Sequence, residues 1–155
     1  MTIKTTTHLN FHGTARQALE LYRDVFGGEL VAATYGDFGM PKGAPGADKI
    51  VFGQVENADG FRIMAYDIPG ASESDGARTA GTTRRTNGTT ITDRTFFQSV
   101  RGETLDEIKR YWNGLAEGAS IIEPLAPSSW TPGFGMLTDR FGVTWVLDVQ
   151  NSAAR

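Results

Sequence analysis

Residues 9–30, LNFHGTARQALELYRDVFGGEL, are the stretch of sequence that decides the fold. Thr14 and Gln17 stand at the spacing of a capping box, which predicts that a helix begins after Thr14. Apolar residues then recur at helical spacing, at Leu19, Tyr22, Val25 and Phe26. Gly27 and Gly28 end the helix, because glycine adopts the left-handed C-terminal conformation without steric cost. The stretch therefore predicts a strand, a tight turn and a helix of about three turns with one buried face.

Strands surround this helix in the sequence. In the strand before it, residues 3–11, alternation places Leu9 and Phe11 on one face and His8 and Asn10 on the other. Leu9 and Phe11 are expected to cover the helix, so His8 and Asn10 face away from it. Further strands are predicted at residues 29–35, 49–56 and 61–67, with a loop rich in glycine and proline at 36–48. The predicted order is β-α-β-β-β.

The second half of the chain repeats this order. Adding 89 to a residue number maps Gly13 onto Gly102 and Tyr22 onto Tyr111. Thr104 repeats the helix cap, with Glu107 three residues on. The predicted second-half elements are strands at 91–100, 119–125, 134–138 and 143–149 and a helix that ends near Gly118. Such an internal repeat indicates a duplicated module.

Residues 71–90 separate the two copies. The segment is polar and rich in glycine and threonine, and it predicts a flexible linker between modules 1–70 and 91–155 of one structural domain. Arg84 and Arg85 could bind an anion, but adjacent arginines in such a segment are more often solvated.

The amino-acid composition limits the kinds of partner and site that the protein can have. The chain of 155 residues has a net charge of -3, which gives no electrostatic reason to expect nucleic acid or an anionic membrane as partner. Cysteine is absent, so disulfides and thiolate metal sites are excluded. No signal peptide and no apolar run of about 20 residues is visible. We therefore expect a cytoplasmic protein.

Four stretches together resemble a known family: residues 9–30 above, YGD at 35–37, DKIVFGQVENADGFRIMAYDIPG at 48–70 and GFGMLTDRFGVTWVLDV at 133–149. They are similar to the PhnB-like branch of the vicinal oxygen chelate superfamily. That superfamily includes glyoxalase I, extradiol dioxygenases and fosfomycin- and bleomycin-resistance proteins. The resemblance implies an α+β fold in which two βαβββ modules form an incomplete barrel around a cavity. It also implies a homodimer.

The resemblance also locates the metal-ligand positions of the superfamily's enzymes, where His, Gln or Glu would bind a divalent cation. In this chain those positions fall on Thr6 or Thr7, near Thr95, near Met64 and near Val146. None of these side chains is a strong ligand. The sequence therefore predicts no metal and no cofactor.

Two other residue types could still supply chemistry. His8 points toward the cavity, but a metal site needs three or four donors, so His8 is better explained as a polar group that lines a pocket. Asp67, Asp148 and Glu56 could act as general acids or bases, although exposed strand-end charges explain them more simply. Asp139 is expected to close a hairpin onto its own backbone. Sequence patterns of serine hydrolases, P-loops and zinc proteases are absent.

What remains is an aromatic, lightly polar hollow suited to a small organic molecule. Alternation places Arg62, Met64 and Tyr66 on one face of their strand, which by analogy lines the cavity with His8 and Asn10. Trp130 could close one mouth of the cavity, whereas Trp145 is expected to pack under a helix. The candidate ligand-binding residues are therefore His8, Asn10, Arg62, Met64, Tyr66 and Trp130.

Two functions remain open. In the first, a homodimer binds a small organic metabolite or antibiotic without a metal ion. In the second, the chain is a metal-dependent lyase, isomerase or dioxygenase with an atypical site that includes His8 and a carboxylate such as Glu56. The absence of a recognisable set of metal-ligating side chains favours the first function, the binding of an organic molecule. A ubiquinone-pathway methyltransferase, an activity attributed to some PhnB-like proteins, is not favoured because no glycine-rich cofactor turn follows a strand.

Overall fold

The chain divides into two compact units, Met1–Arg78 and Thr79–Arg155. The computed structural model describes residues 2–72 and 83–151. Each unit contains a four-stranded sheet and one α-helix of 12 residues, so the predicted α+β class is confirmed. Within these described ranges, no helix is both long enough and apolar enough to cross a lipid bilayer.

The first unit follows the predicted element order. Its elements are β1 (Thr7–Phe11), α1 (Ala15–Phe26), β2 (Glu29–Thr34), a short 3₁₀ turn (Gly36–Phe38), β3 (Ile50–Glu56) and β4 (Arg62–Asp67). The strands lie in the order β1-β4-β3-β2, with β1 parallel to β4 and the other neighbours antiparallel. Between the parallel strands β1 and β4, the chain passes through α1, β2 and β3.

The core of the first unit lies between α1 and one face of its sheet. Leu9, Ile63 and Ala65 are buried on that face, as is Leu19 on the helix. Gly53 of β3 lies directly beneath Leu19, and a Cβ atom at Gly53 would collide with the Leu19 side chain. The missing side chain thus sets how closely the helix approaches the sheet.

The second unit repeats this topology. Its elements are β5 (Arg84–Thr86), β6 (Thr89–Ile91), β7 (Gln98–Gly102), α2 (Leu105–Ala116), β8 (Ser120–Ala126), β9 (Phe134–Thr138) and β10 (Thr144–Val149). The main sheet has the order β7-β10-β9-β8, and β7 is parallel to β10. Each strand of this main sheet therefore matches one of the first unit in position and direction, so the predicted duplication of the module is confirmed.

The segment between the modules differs from the prediction. The strand predicted at 91–100 is wrong, because β7 begins at Gln98 and Ile91 instead ends β6. Strands β5 and β6 form an antiparallel hairpin whose turn has positive φ at Asn87 (51°) and Gly88 (77°). An Asn-Gly pair favours this kind of turn. Part of the predicted linker is thus a hairpin, while residues 73–82 lie outside the described residues.

The two helices begin differently. The Thr14 side chain makes no capping hydrogen bond, so the capping box predicted there is wrong. Instead, the Asp67 carboxylate accepts hydrogen bonds from the backbone N–H groups of Gly13 (3.0 Å) and Ala15 (2.9 Å). At α2, Thr104 Oγ1 accepts from Glu107 N (3.2 Å), as predicted. A distant carboxylate therefore replaces the local cap at α1.

Candidate ligand-binding face

Five of the six candidate residues lie on one side of the first sheet. His8 pairs with Met64 and Asn10 with Tyr66 across β1 and β4, and Arg62 follows the same alternation. Their neighbours Leu9, Ile63 and Ala65 point to the buried side under α1. We call the side opposite α1, which carries His8, Asn10, Arg62, Met64 and Tyr66, the open face.

The histidine on the open face has a defined hydrogen-bonding pattern. His8 Nδ1 lies 3.1 Å from Asn10 Oδ1. An amide oxygen only accepts hydrogen bonds, so Nδ1 donates and Nε2 of the neutral ring is left as an acceptor. The His8 ring also packs edge-on against Tyr66, with ring centroids 5.2 Å apart. This contact fixes the orientation of both rings.

Arg62 supplies the positive charge of the open face. Its Nε donates a hydrogen bond to Thr6 Oγ1. Glu56, its cross-strand neighbour on β3, is instead approached by Lys4 Nζ (3.4 Å) and Gln54 Nε2 (3.3 Å). Within residues 2–72 and 83–151, the terminal guanidinium nitrogens of Arg62 have no partner. They are available for a ligand with acceptor atoms.

Other polar atoms of the open face are also available. Among the described residues, Asn10 Nδ2 and the Tyr66 hydroxyl form no hydrogen bond. Met64 is half-buried and lies between Arg62 and Tyr66 along β4. Gln54, which pairs with Met64 from β3, belongs to the same face and was missed by the sequence prediction. Alternation along β3, with Val55 buried, was the signal that could have found it.

Trp130 lies apart from the other five candidates in the chain. It belongs to the second unit, in the loop between β8 and β9, and 47% of its surface is exposed. Its ring packs edge-on against Phe134, with centroids 5.3 Å apart. Trp145, by contrast, is fully buried, and its indole N–H donates to Asp139 Oδ2 (2.8 Å).

The carboxylates considered for acid-base chemistry have structural partners. The explanation of Asp67 as an exposed strand-end charge is wrong, because Asp67 is buried and also accepts from Ile50 N (2.9 Å). Its carbonyl oxygen accepts from the Tyr35 hydroxyl (2.6 Å), and burial raises the pKa of Tyr35. Asp148 is likewise buried rather than exposed.

Asp148 and Asp139 hold their own module together. Both Asp148 oxygens accept from Arg101, at 3.0 and 2.9 Å. These hydrogen bonds raise the pKa of Arg101. Asp139 Oδ1 accepts from the backbone N–H of Phe141 (2.8 Å) and Val143 (3.1 Å), as expected for a hairpin closed on its own backbone. Each of these carboxylates therefore has a structural role within its module.

The His, Asp and Glu side chains of this chain do not form a site for the divalent cation of the superfamily's enzymes. No group of three or more His, Cys, Asp or Glu side chains that could hold an ion occurs in the described ranges. His8 and Glu56 lie on strands separated by β4, so their backbones stand about 10 Å apart. Two donors are also fewer than the three or four ligands that a metal site needs, and no third such side chain joins them in the described ranges.

A separate cavity of about 590 Å³ lies beside the loop after β2, among residues 34–48. Its wall consists largely of glycine, alanine and proline, with Asp37, Lys42 and Asp48 as charged groups. Hydrogen bonds with Thr34 hold the pKa of Asp37 below its usual value. None of the candidate residues lines this cavity. Because its charges have both signs and its wall lacks aromatic rings, it is less suited to an organic ring than the open face.

Fold and site together define a class of protein: a duplicated β-α-β-β-β module with a polar, partly aromatic sheet face opposite its helix. The family model described as Glyoxalase/Bleomycin resistance protein/Dioxygenase superfamily matches residues 8–147. The chain therefore belongs to this superfamily, and the resemblance drawn from the sequence is confirmed.

Similar proteins include PhnB-like members of the superfamily. Protein YjdN of Escherichia coli (strain K12) is 28% identical over 150 residues, which are 92% of this chain and 92% of YjdN. The crystal structure of protein PA1353 from Pseudomonas aeruginosa is 30% identical, with a TM-score of 0.72 over 96% of this chain and 98% of that chain. A PhnB protein from Bacillus cereus, described as a putative 3-demethylubiquinone-9 3-methyltransferase, is 24% identical, with a TM-score of 0.66 over 96% of this chain and all of that chain (100%).

Proposed function

We propose that the protein binds a small organic molecule, with a planar ring and negatively charged or acceptor atoms, on the open face of its first module. Binding uses no metal ion. The observation that carries the proposal is the set of unpartnered hydrogen-bonding atoms on this face, at Arg62, Asn10 and Tyr66. Asn10 is exposed and Arg62 and Tyr66 are half-buried, so a ligand can reach these atoms directly.

The chemistry of these atoms suggests the ligand. Arg62 offers two terminal nitrogens to a carboxylate or similar planar anion. Asn10 Nδ2 and the Tyr66 hydroxyl add neutral donors, and His8 Nε2 adds an acceptor. The ring edges of His8 and Tyr66 and the thioether of Met64 provide apolar contact for a ring. A ring with an anionic substituent for the donors, and with a hydroxyl or N–H group that donates to His8 Nε2, would satisfy all of these groups.

Binding rather than catalysis is proposed because the carboxylates considered for acid-base chemistry are engaged elsewhere. Asp67, Asp139 and Asp148 accept structural hydrogen bonds, and Glu56 faces Lys4 and Gln54. The metal-ligand positions carry threonine, methionine and valine. The methyltransferase named for the Bacillus cereus relative is not proposed for this chain, since no glycine-rich cofactor turn follows a strand in residues 2–72 and 83–151.

The test uses 8-anilinonaphthalene-1-sulfonate, an aromatic anion, titrated into isotopically labelled protein and followed by NMR. We expect the backbone signals of His8, Asn10, Met64 and Tyr66 to shift. Arg62→Ala should weaken binding by roughly tenfold, because a hydrogen bond to a charged group contributes about 1.5 kcal/mol or more. A chelator such as EDTA should leave the affinity unchanged.

Arg23→Ala is the matched control, since Arg23 is a half-exposed arginine of α1 whose guanidinium contacts Asp24. It should bind the probe as the unmodified protein does. Equal affinity in Arg62→Ala and Arg23→Ala would contradict the proposal. So would signal shifts confined to residues 34–48, which would place the ligand in the loop cavity.

A further inference from the structure

The second module carries a corresponding sheet face, but its own chain covers it. Gly135 of β9 faces α2, because a Cβ there would collide with Trp112. Its neighbours Phe134 and Met136 therefore point to the side opposite α2. We call this side, defined by Glu123, Phe134 and Met136, the second-module face. The hairpin β5–β6 lies against it.

Arg85 of the hairpin is the group that enters the second-module face. Only 12% of its side chain is exposed, although arginine at the surface is normally well solvated. The guanidinium carbon lies 4.8 Å from the centre of the Phe134 ring, over its face. Arg85 Nε lies 3.8 Å from Glu123 Oε2, and Nη1 donates to Thr90 Oγ1 (2.7 Å). The expectation that both linker arginines are solvated is therefore wrong for Arg85.

The surroundings of the guanidinium have the features of a built site for a planar cation. An aromatic face attracts the positive charge, a carboxylate neutralises part of it, and a hydroxyl accepts an in-plane N–H. Thr90 is itself oriented by a contact of its Oγ1 with Met136 Sδ (3.7 Å). The neighbouring Arg84 is exposed, so the hairpin places one of two adjacent arginines in this site and leaves the other in solvent.

We propose that the second-module face is a binding pocket for a guanidinium-type cation, with Arg85 as its tethered occupant. A tethered group acts at a high effective concentration, so a free cation competes poorly while the hairpin is in place. Removal of the Arg85 side chain opens the pocket. The two modules then differ in use: one open face takes an anionic ring, and the other accepts a cation supplied by the chain.

The experiment is chemical rescue of Arg85→Ala, followed by thermal melting and by the NMR signal of the Met136 methyl group. We expect the substitution to lower the melting temperature by about 3 °C. Millimolar methylguanidinium should restore at least half of that loss and shift the Met136 signal. Methylammonium chloride at the same concentration should do neither, because it lacks the planar set of donors.

Arg84→Ala is the matched control, because it removes the same side chain one residue away from the pocket. It should melt like the unmodified protein and gain nothing from methylguanidinium. If Arg85→Ala does not fold in plain buffer, its refolding in millimolar methylguanidinium, but not in methylammonium, is the readout. Equal responses to methylguanidinium in the Arg84 and Arg85 variants, or an unshifted Met136 signal, would overturn the proposal.

Discussion

At the scale of single residues, Asp67 joins three segments of the first module. Its carboxylate accepts backbone N–H groups from Gly13, Ala15 and Ile50, which belong to the start of α1 and the start of β3. The side chain lies at the end of β4 and is buried. One carboxylate thus caps a helix and fixes the strand beside it.

We expect Asp67→Asn to destabilise the protein by about 3 kcal/mol, measured by urea unfolding. The amide keeps the shape but turns one acceptor into a donor, which then opposes a buried N–H group. Asp59→Asn is the control, because Asp59 is exposed in the turn between β3 and β4. A loss below about 0.5 kcal/mol in Asp67→Asn would contradict this role.

The role of a residue could be predicted from the sequence where its hydrogen-bond partners lie close to it in the chain. Asp139 and its hairpin could be assigned because the N–H groups it accepts lie within four residues. Asp67 could not, because its partners come from up to 54 residues away and only the tertiary fold brings them together. The same reason explains why Arg85 was taken as solvated: the Phe134 ring that covers it comes 49 residues later (134 − 85).

At the scale of elements, the two helices offer a direct comparison of capping. Thr104→Ala should cost about 1 kcal/mol in urea unfolding, since it removes the acceptor for Glu107 N. Thr14→Ala should cost less than about 0.5 kcal/mol, because Asp67 already satisfies the N-terminal groups of α1. Equal losses in the two variants would mean that Asp67 is not the cap of α1.

Most elements could be predicted from periodicity and glycine, and their ends fell within a few residues of the observed ones. Strand β9, for example, was predicted at 134–138 and runs from Phe134 to Thr138. The hairpin β5–β6 was not predicted because its strands have three residues each and almost no apolar side chains. Its only local signal was the Asn-Gly pair at the turn.

At the scale of the whole molecule, we expect a homodimer. Val31 of β2 and Phe52 of β3 lie on the outer part of the open face and are 49% and 39% exposed. An apolar patch beside the proposed ligand site is suited to cover by a second copy, which would present the same patch through two-fold symmetry. The second copy would then help to exclude water from the bound ring.

Sedimentation velocity at micromolar concentration checks this expectation. The main species should have twice the chain mass of 16.8 kDa. Phe52→Glu should give monomer, because a buried charge opposes association. Phe38→Glu, which changes an exposed ring outside the sheet, should leave the dimer intact. A monomer in the unmodified protein would contradict the prediction.

The sequence predicted the fold better than it predicted the candidate site. Alternation in β1 and β4 was enough to group His8, Asn10, Arg62, Met64 and Tyr66, because a strand has only two faces. Which of their atoms remain unpartnered depends on neighbours such as Thr6 and Gln54, and no pattern in the sequence records those contacts.

The pleat of β4 has a consequence for how such proteins can change over evolution. Ile63 and Ala65 face the helix, while Arg62, Met64 and Tyr66 face outward from the same six-residue strand. Substitutions at every second position can therefore alter the proposed ligand-binding face while the core retains its composition. New binding preferences can therefore arise on the same fold, because the outward-facing residues of β4 can be substituted without changing the residues that pack under the helix.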